Sequence, residues 1–224
     1  MSRFYPILVD LQGKKALVVG GGKVAQRKIE SLLEYGASVH VVARELTAEL
    51  ERLRSRRKIE FLGGEFSEAY LEGAFLVFAA TDDASLNRRV SQEAQKRGQL
   101  ANAVDQPADC NFIVPSVLSR GDLLIAVSTS GKSPAFARKV RVELEQHFGE
   151  EYGFFLNLMG NLRKEILRLG LSQEENKRAF EELVHSDLLQ AIRQKKWDLA
   201  SQIIEKVLGR PVSKNQILDF LKAE

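Results

Sequence analysis

Apolar and polar positions fall into short blocks whose period keeps changing along the chain. Residues 15–19 (KALVV) form a brief apolar run of the kind that a strand buried on both faces requires. Over 23–35 the period becomes helical. Val24, Ile29, Leu32 and Leu33 predict one apolar face, and Gly36 supplies a left-handed helix end. A strand follows at 38–43 (SVHVVA), then a polar helix at about 47–56 and a short strand at 59–62 (IEFL). A fourth strand at 75–80 (FLVFAA), a helix at 84–98 closed by Gly98, and a fifth strand at 100–105 (LANAVD) complete the series. Strands alternating with helices predict an α/β fold, a doubly wound parallel sheet with right-handed crossovers.

The pattern changes after Pro107. Residues 111–119 (NFIVPSVLS) and 122–130 (DLLIAVSTS) read as strands of a hairpin joined through Arg120-Gly121, with Pro115 marking an edge or a bulge. Ser133-Pro134 reads as a helix start, serine at the N-cap and proline at the first helical position. Leucines and isoleucines at helical spacing fill 152–223, with breaks near Gly170 and Gly209-Arg210-Pro211. Ser172 with Glu175 and Ser213 with Gln216 have capping-box spacing. The chain therefore divides into a Rossmann-type dinucleotide-binding domain over 1–112, a hairpin-and-helix segment over 113–149, and an all-helical carboxy-terminal domain over 150–224.

The first strand runs straight into glycines: KALVVGGGKVAQRK over 15–28. Gly20, Gly22 and Ala25 fit G-x-G-x-x-G/A. The first glycine permits the tight turn, the second lets backbone approach a pyrophosphate, and the small third residue lets helix and strand pack closely. The following helix offers free N–H groups to phosphate. The competing reading is a packing turn without a ligand. The acidic residue that ends the second strand and binds the adenosine ribose is missing, because that strand ends Ala43-Arg44-Glu45. Glu45 stands one residue late for that role. Arg44 suits stacking on adenine or a 2′-phosphate, so spacing leaves both NAD and NADP open.

Three further segments carry polar groups to places where ligands bind. Thr81, Asp82 and Asp83 follow the fourth strand, at the carboxyl edge of the sheet, and also fit an N-cap for the next helix. Asp105 closes the fifth strand at that edge, placed for general acid–base work or for a turn before Pro107, with Asn102 as a hydrogen-bonding companion. The loop STSGKSP brings Ser128, Thr129, Ser130, Gly131 and Lys132 together ahead of a helix that carries Arg138, Lys139 and Arg141. It reads as an anion site or as an ordinary capped helix start.

Composition narrows the ligand class. A chain of 224 residues with 44% apolar and 28% charged residues can bury a core. A net charge of +3 is too weak to indicate nucleic acid, and suits an anionic small substrate where the positive charges cluster. Cys110 is the one cysteine, which excludes an intrachain disulfide and fits a reducing cytosol. The amino terminus does not read as a signal peptide, and apolar runs such as 74–80 are too short for a bilayer, so a cytoplasmic protein without a membrane partner is expected. His40, His147 and His185 lie far apart in sequence, so no tight metal site is expected.

Four blocks together resemble one family. VVGGGKVAQRK (18–28), AATDDASLN (79–87), NAVDQPADCNFIVPS (102–116) and LLIAVSTSGKSPAFAR (123–138) are similar, in order, to the precorrin-2 dehydrogenase/sirohydrochlorin ferrochelatase family. This siroheme-forming module occurs alone or fused to a uroporphyrinogen methyltransferase. The likeness spans about residues 4–148, and the helical tail matches in length and character. It implies an NAD-binding Rossmann domain, a dimerisation segment, a helical domain and a homodimer. It implies oxidation of precorrin-2 to sirohydrochlorin with NAD+, and in some members insertion of ferrous iron to give siroheme.

The family's key aspartate falls on Asp105, and its cofactor contacts on Gly22, Lys23, Val24, Arg44 and Glu45. The resemblance favours NAD over NADP and the stand-alone form, supplied with precorrin-2 by another protein. Lys132 and the neighbouring hydroxyls suit a macrocycle rich in carboxylates. Two alternatives stand beside this reading. One is a dehydrogenase alone, with a separate chelatase. The other is a non-enzymatic nucleotide sensor of potassium transport, a class that shares a TDDASLN-like loop but has no need of CNFIVPS or STSGKSP.

Overall fold

The computed structural model describes residues 4–222. The chain forms two compact units, the first ending at Val114 and the second beginning at Pro115.

The first unit runs β1 (Lys15–Val19), α1 (Lys23–Glu34), β2 (Ser38–Val42), α2 (Ala48–Ser55), β3 (Glu60–Gly63), β4 (Leu76–Ala79), α3 (Ala84–Lys96) and β5 (Leu100–Ala103). All five strands are parallel, in the order β3-β2-β1-β4-β5. The order reverses between β1 and β4, which opens a crevice at their carboxyl ends. Both faces of the sheet are covered, which is why its strands read as unbroken apolar runs. Val18, Val41 and Phe78 pack with Ala25, Ile29 and Leu32 of α1 on one face. Leu17, Val77 and Ala101 pack with Val90 and Ala94 of α3 on the other.

Two expectations are corrected here. The apolar stripe of α1 is Ala25, Ile29 and Leu32, at i, i+4 and i+7, and Val24 stands one position off it, 40% exposed. No strand runs through 111–115. Cys110 and Asn111 instead use their side chains to cover the β5 edge. The Ala103 amide donates to Cys110 Sγ (3.2 Å) and the Ala101 amide to Asn111 Oδ1 (2.8 Å), while the Asn111 amide donates to the Ala101 carbonyl (3.1 Å). The edge is thereby closed without a sixth strand.

In the second unit β6 (Ser116–Arg120) and β7 (Leu123–Val127) form an antiparallel hairpin. Its turn is Gly121-Asp122, one residue later than expected, with Gly121 left-handed at φ 56°. Helix α4 (Pro134–His147) packs on the hairpin, capped by Ser133 Oγ, which accepts from the Phe136 amide. Helices α5 (Glu151–Arg168), α6 (Gln173–His185), α7 (Leu188–Arg193), α8 (Trp197–Leu208) and α9 (Lys214–Phe220) enclose their own core around Leu158, Leu162, Ile166 and Ile204. Gly170 and Gly209 follow α5 and α8 in the left-handed region, where those breaks were expected. Ser172 and Glu175 form both halves of a capping box; Ser213 makes the forward half, accepting from the Gln216 amide. Among the described residues no helix is long and apolar enough to cross a membrane.

Candidate functional site

The three glycines after β1 differ in what constrains them. Gly20 has φ 131°, and a Cβ there would lie 2.2 Å from the Ala80 carbonyl oxygen. Backbone bonds lock it at the switch point: the Gly20 amide donates to Val42 (2.8 Å) and the Ala80 amide to Val19 (2.7 Å). A Cβ on Gly21 would lie 2.0 Å from the Glu45 carbonyl oxygen, and the Thr47 amide donates to the Gly21 carbonyl (3.1 Å). Gly22 is the opposite case. Its φ of −80° suits any residue, and nothing lies within 4 Å of the place a Cβ would take.

Gly22 is also the N-cap of α1 and brings no side-chain acceptor; the first turn holds no acidic residue. The opening amides of α1, at Lys23, Val24 and Ala25, thus lack intrahelical acceptors, and the space beside Gly22 is open. Helix-end amides and dipole favour an anion there. The residues fit the pyrophosphate of a dinucleotide: the space a side chain would fill is left free, and the donors around it are uncapped.

Arg44 and Glu45 are exposed on the loop that flanks this turn. Thr47 anchors the loop. Its hydroxyl caps α2 by accepting from the Leu50 amide (3.3 Å) and donates to Gln26 Oε1 (2.7 Å) on α1. Across the crevice Asp83 caps α3, as its spacing suggested. Its carboxyl is held below the usual range by the Ser85 hydroxyl first, then by the Leu86 and Ser85 amides, with a contribution from the Arg44 cation.

Thr81 is fully engaged by a residue that motif reading passed over. The Thr81 amide (3.0 Å) and hydroxyl (2.7 Å) both donate to Oδ1 of buried Asn87, whose Nδ2 returns a bond to the Thr81 carbonyl (2.8 Å). The six-residue spacing from Thr81 to Asn87 was the available signal. Asp82 is exposed beside them.

Asp105 does not end a strand. β5 stops at Ala103, and Asp105 occupies an exposed turn with φ 60°. Aspartate tolerates this conformation, though it is sparsely used outside glycine. The turn is pinned to α3 from several sides. Gln106 Nε2 donates to the Ala84 carbonyl (3.0 Å), Gln95 Nε2 to the Asp109 carbonyl (2.9 Å), and Arg88 Nε to the Asp109 carboxylate (3.1 Å); buried Ser91 also bonds the Asp109 carbonyl. The Val104 amide donates to Ala79 (2.9 Å), which keeps the ends of β4 and β5 together. Asn102 lies one residue before the end of β5 and gives its Nδ2 to the Phe112 carbonyl (3.1 Å).

The structure therefore gathers Gly20, Gly22, Lys23, Val24, Ala25, Thr81, Asp82, Asn102 and Asp105 along the carboxyl edge of one sheet, with Arg44 and Glu45 beside the turn. The remaining residues singled out, Ser128 to Lys132, lie on the second unit. There the Ser130 amide donates to Ser128 Oγ (3.1 Å) and the Ser133 amide to Thr129 Oγ1 (3.0 Å). Ser130 and Gly131 are left-handed, at φ 53° and 82°, and Lys132 is exposed.

Such a sheet, with a glycine turn opening a helix at its switch point, defines the class of nicotinamide-dinucleotide-binding Rossmann domains. Comparison with known proteins agrees. A family model described as NAD(P)-binding matches residues 7–116, and a model of the sirohaem biosynthesis protein central region matches residues 120–147. The siroheme synthase of Photorhabdus laumondii is 42% identical over 79% of this chain and 37% of its own length. Siroheme synthase 3 of Aeromonas hydrophila is 38% identical over 99% of this chain and 44% of its own. The chain thus spans about two fifths of the length of these curated relatives. The solved structure of SirC, a precorrin-2 dehydrogenase, matches with TM-score 0.75 and 29% identity, over 91% of this chain and all of that one. The chain belongs to the family of the siroheme synthases and SirC.

Proposed function

We propose that this protein oxidises precorrin-2 to sirohydrochlorin with NAD+, and that it goes on to insert ferrous iron to give siroheme. The observation that carries the reading is the open Gly22 cradle with Asp105 fixed on the same sheet edge, in a chain whose relatives are named for this pathway. NAD+ supplies the hydride acceptor when bound. The uncapped amides of α1 hold its phosphates, with Lys23 and Val24 beside them, and Thr81 and Asp82 form the opposite wall.

Of the two cofactors that spacing leaves open, the family resemblance favours NAD, and the exposed Glu45 carboxylate on the loop beside the glycine turn disfavours the added charge of a 2′-phosphate. Oxidation removes a hydride and a proton from the macrocycle and leaves a new double bond; Asp105 takes the proton. In chelation two pyrrole N–H protons leave as the metal enters; the same carboxylate, exposed to solvent, takes one at a time and releases each to water before receiving the next. On the second unit Ser128, Thr129, Ser130, Gly131 and Lys132 serve to bind substrate carboxylates, and on the first Asn102 serves as a hydrogen-bond donor. Residues 113–149 serve as the dimerisation segment: the hairpin leaves Val117 and Leu124 exposed on one face, which suits pairing with a second copy in the cytoplasm.

Asp105→Asn tests the assignment. General acid–base catalysis is worth roughly 100-fold or more, so the variant should lose that much precorrin-2 oxidation while NAD still binds. Full activity in the folded variant would remove Asp105 from the mechanism.

A further inference from the structure

The turn that carries Asp105 is held in a shape that aspartate seldom takes. The Gln106 amide donates to the Ala103 carbonyl (3.3 Å), which closes a four-residue turn over 103–106 with Asp105 in its third place. That place is left-handed, at φ 60°, and glycine or asparagine normally fills it. Glycine would hold the turn without strain but would bring no carboxylate. A conformation of this sort persists only where the surroundings over-determine it.

Two buried side chains, one behind the other, provide those surroundings. Cys110 is the nearer. Its Sγ accepts from the Ala103 amide (3.2 Å), and its S–H lies within reach of the Ala103 and Gln106 carbonyls (3.3 Å each). One thiol thus engages both ends of the turn. Cys110 is seated in its turn from α3. Buried Ser91 gives its hydroxyl to the Asp109 carbonyl rather than to its own helix. Gln95 Nε2 donates to that carbonyl (2.9 Å) and to Ser91 Oγ (3.0 Å). The Asp109 carbonyl belongs to the peptide link into Cys110, so these bonds set where the thiol stands. Among the described residues the buried polar side chains are Asn87 and Ser91, and both serve turns at the carboxyl edge of the sheet: Asn87 holds Thr81, and Ser91 holds the segment behind Asp105. Burying a polar group is costly unless it is bonded, and here each bond goes to one of those turns.

We infer that Cys110, seated by Ser91 and Gln95, is a positioning residue for the oxidation: its thiol fixes the turn from which the Asp105 carboxylate reaches the substrate. The inference rests on the reading of Asp105 as proton acceptor and adds a residue that does not itself touch the reacting groups. The competing role is that Cys110 closes the β5 edge and has no bearing on the reaction.

The test uses the full chain and follows NADH formation from precorrin-2 and NAD+ anaerobically. Values of kcat and KM are measured for wild type, Cys110→Ala, Cys110→Ser, Asp105→Asn and the Cys110→Ala/Asp105→Asn double variant, with melting temperature as the check on folding. Misplacing a reacting group by about 1 Å costs on the order of 100-fold in rate. Cys110→Ala should therefore lower kcat about 10-fold or more, with KM and NAD affinity held. Cys110→Ser should recover most of the loss, because a hydroxyl also donates and accepts. Added to Asp105→Asn, Cys110→Ala should cost less than about 2-fold more, since groups that act as a unit are not additive. An equal loss in both backgrounds, or full kcat in folded Cys110→Ala, would overturn the inference and leave the dehydrogenase reading intact. Full activity in Asp105→Asn would take Asp105 out of the reaction and the role of Cys110 with it, while the oxidation itself stood. Wild type that forms no NADH would overturn both.

Discussion

Gly20, Gly21 and Gly22 put one residue type to three uses, and substitutions should separate them. Gly20→Ala forces a Cβ into the Ala80 carbonyl at a φ that side chains avoid. It should cost roughly 3 kcal/mol or more of stability by denaturant unfolding. Gly22→Asp meets no atom and supplies an N-cap, so stability should hold or rise slightly. Its carboxylate would occupy the phosphate position, and NAD affinity by calorimetry should fall on the order of 100-fold. If Gly22→Asp bound NAD normally, the turn would be a packing device and no cradle. The spacing rule identified Gly20, Gly22 and Ala25 but passed over Gly21, because its constraint comes from Glu45, more than twenty positions away. Asp105 was legible by its place in the chain. Its left-handed turn was not, since the bonds that hold the turn come from Arg88, Ser91 and Gln95 on α3.

Elements with a regular period were the most legible. β1, α1, β2 and α3 lie where apolar spacing put them, because burial enforces that spacing. Residues 110–115 failed that reading for a physical reason. Cys110 and Asn111 satisfy the β5 edge through side chains, an arrangement with no hydrophobic period, and Pro115 has no amide to give a ladder.

β2 also carries a pH signature. His40 is held below the usual histidine pKa mainly by burial; Glu60 pushes it up and Lys15 pushes it further down. Its Nδ1 lies 3.2 Å from the Glu60 carboxylate without hydrogen-bond geometry. The unfolded chain therefore binds this proton more readily than the folded one. The stability from a neutral His40 is complete above the unfolded value of 6.5 and is lost as pH falls below it toward the folded pKa. Melting temperature should drop between pH 7.5 and 5.5, and the drop should be smaller in His40→Gln. Equal slopes in the two proteins would remove His40 as the source.

At the scale of the whole molecule the chain is a nucleotide-binding sheet followed by a hairpin and a helical bundle with its own core. The order of these parts was readable from the changes of period at Pro107 and Ser133. The chemistry was less readable, because its groups come from the ends of separate strands and from loops, which periodicity does not describe. The central claim is that the glycine turn and Asp105 serve the oxidation of a reduced tetrapyrrole. Mixing the purified protein anaerobically with precorrin-2 and NAD+, and following the visible spectrum together with NADH, tests it most directly. The account predicts equimolar NADH and sirohydrochlorin, and faster metal insertion than the spontaneous rate when ferrous iron is then added. Absence of NADH while both NAD+ and tetrapyrrole are bound would contradict it.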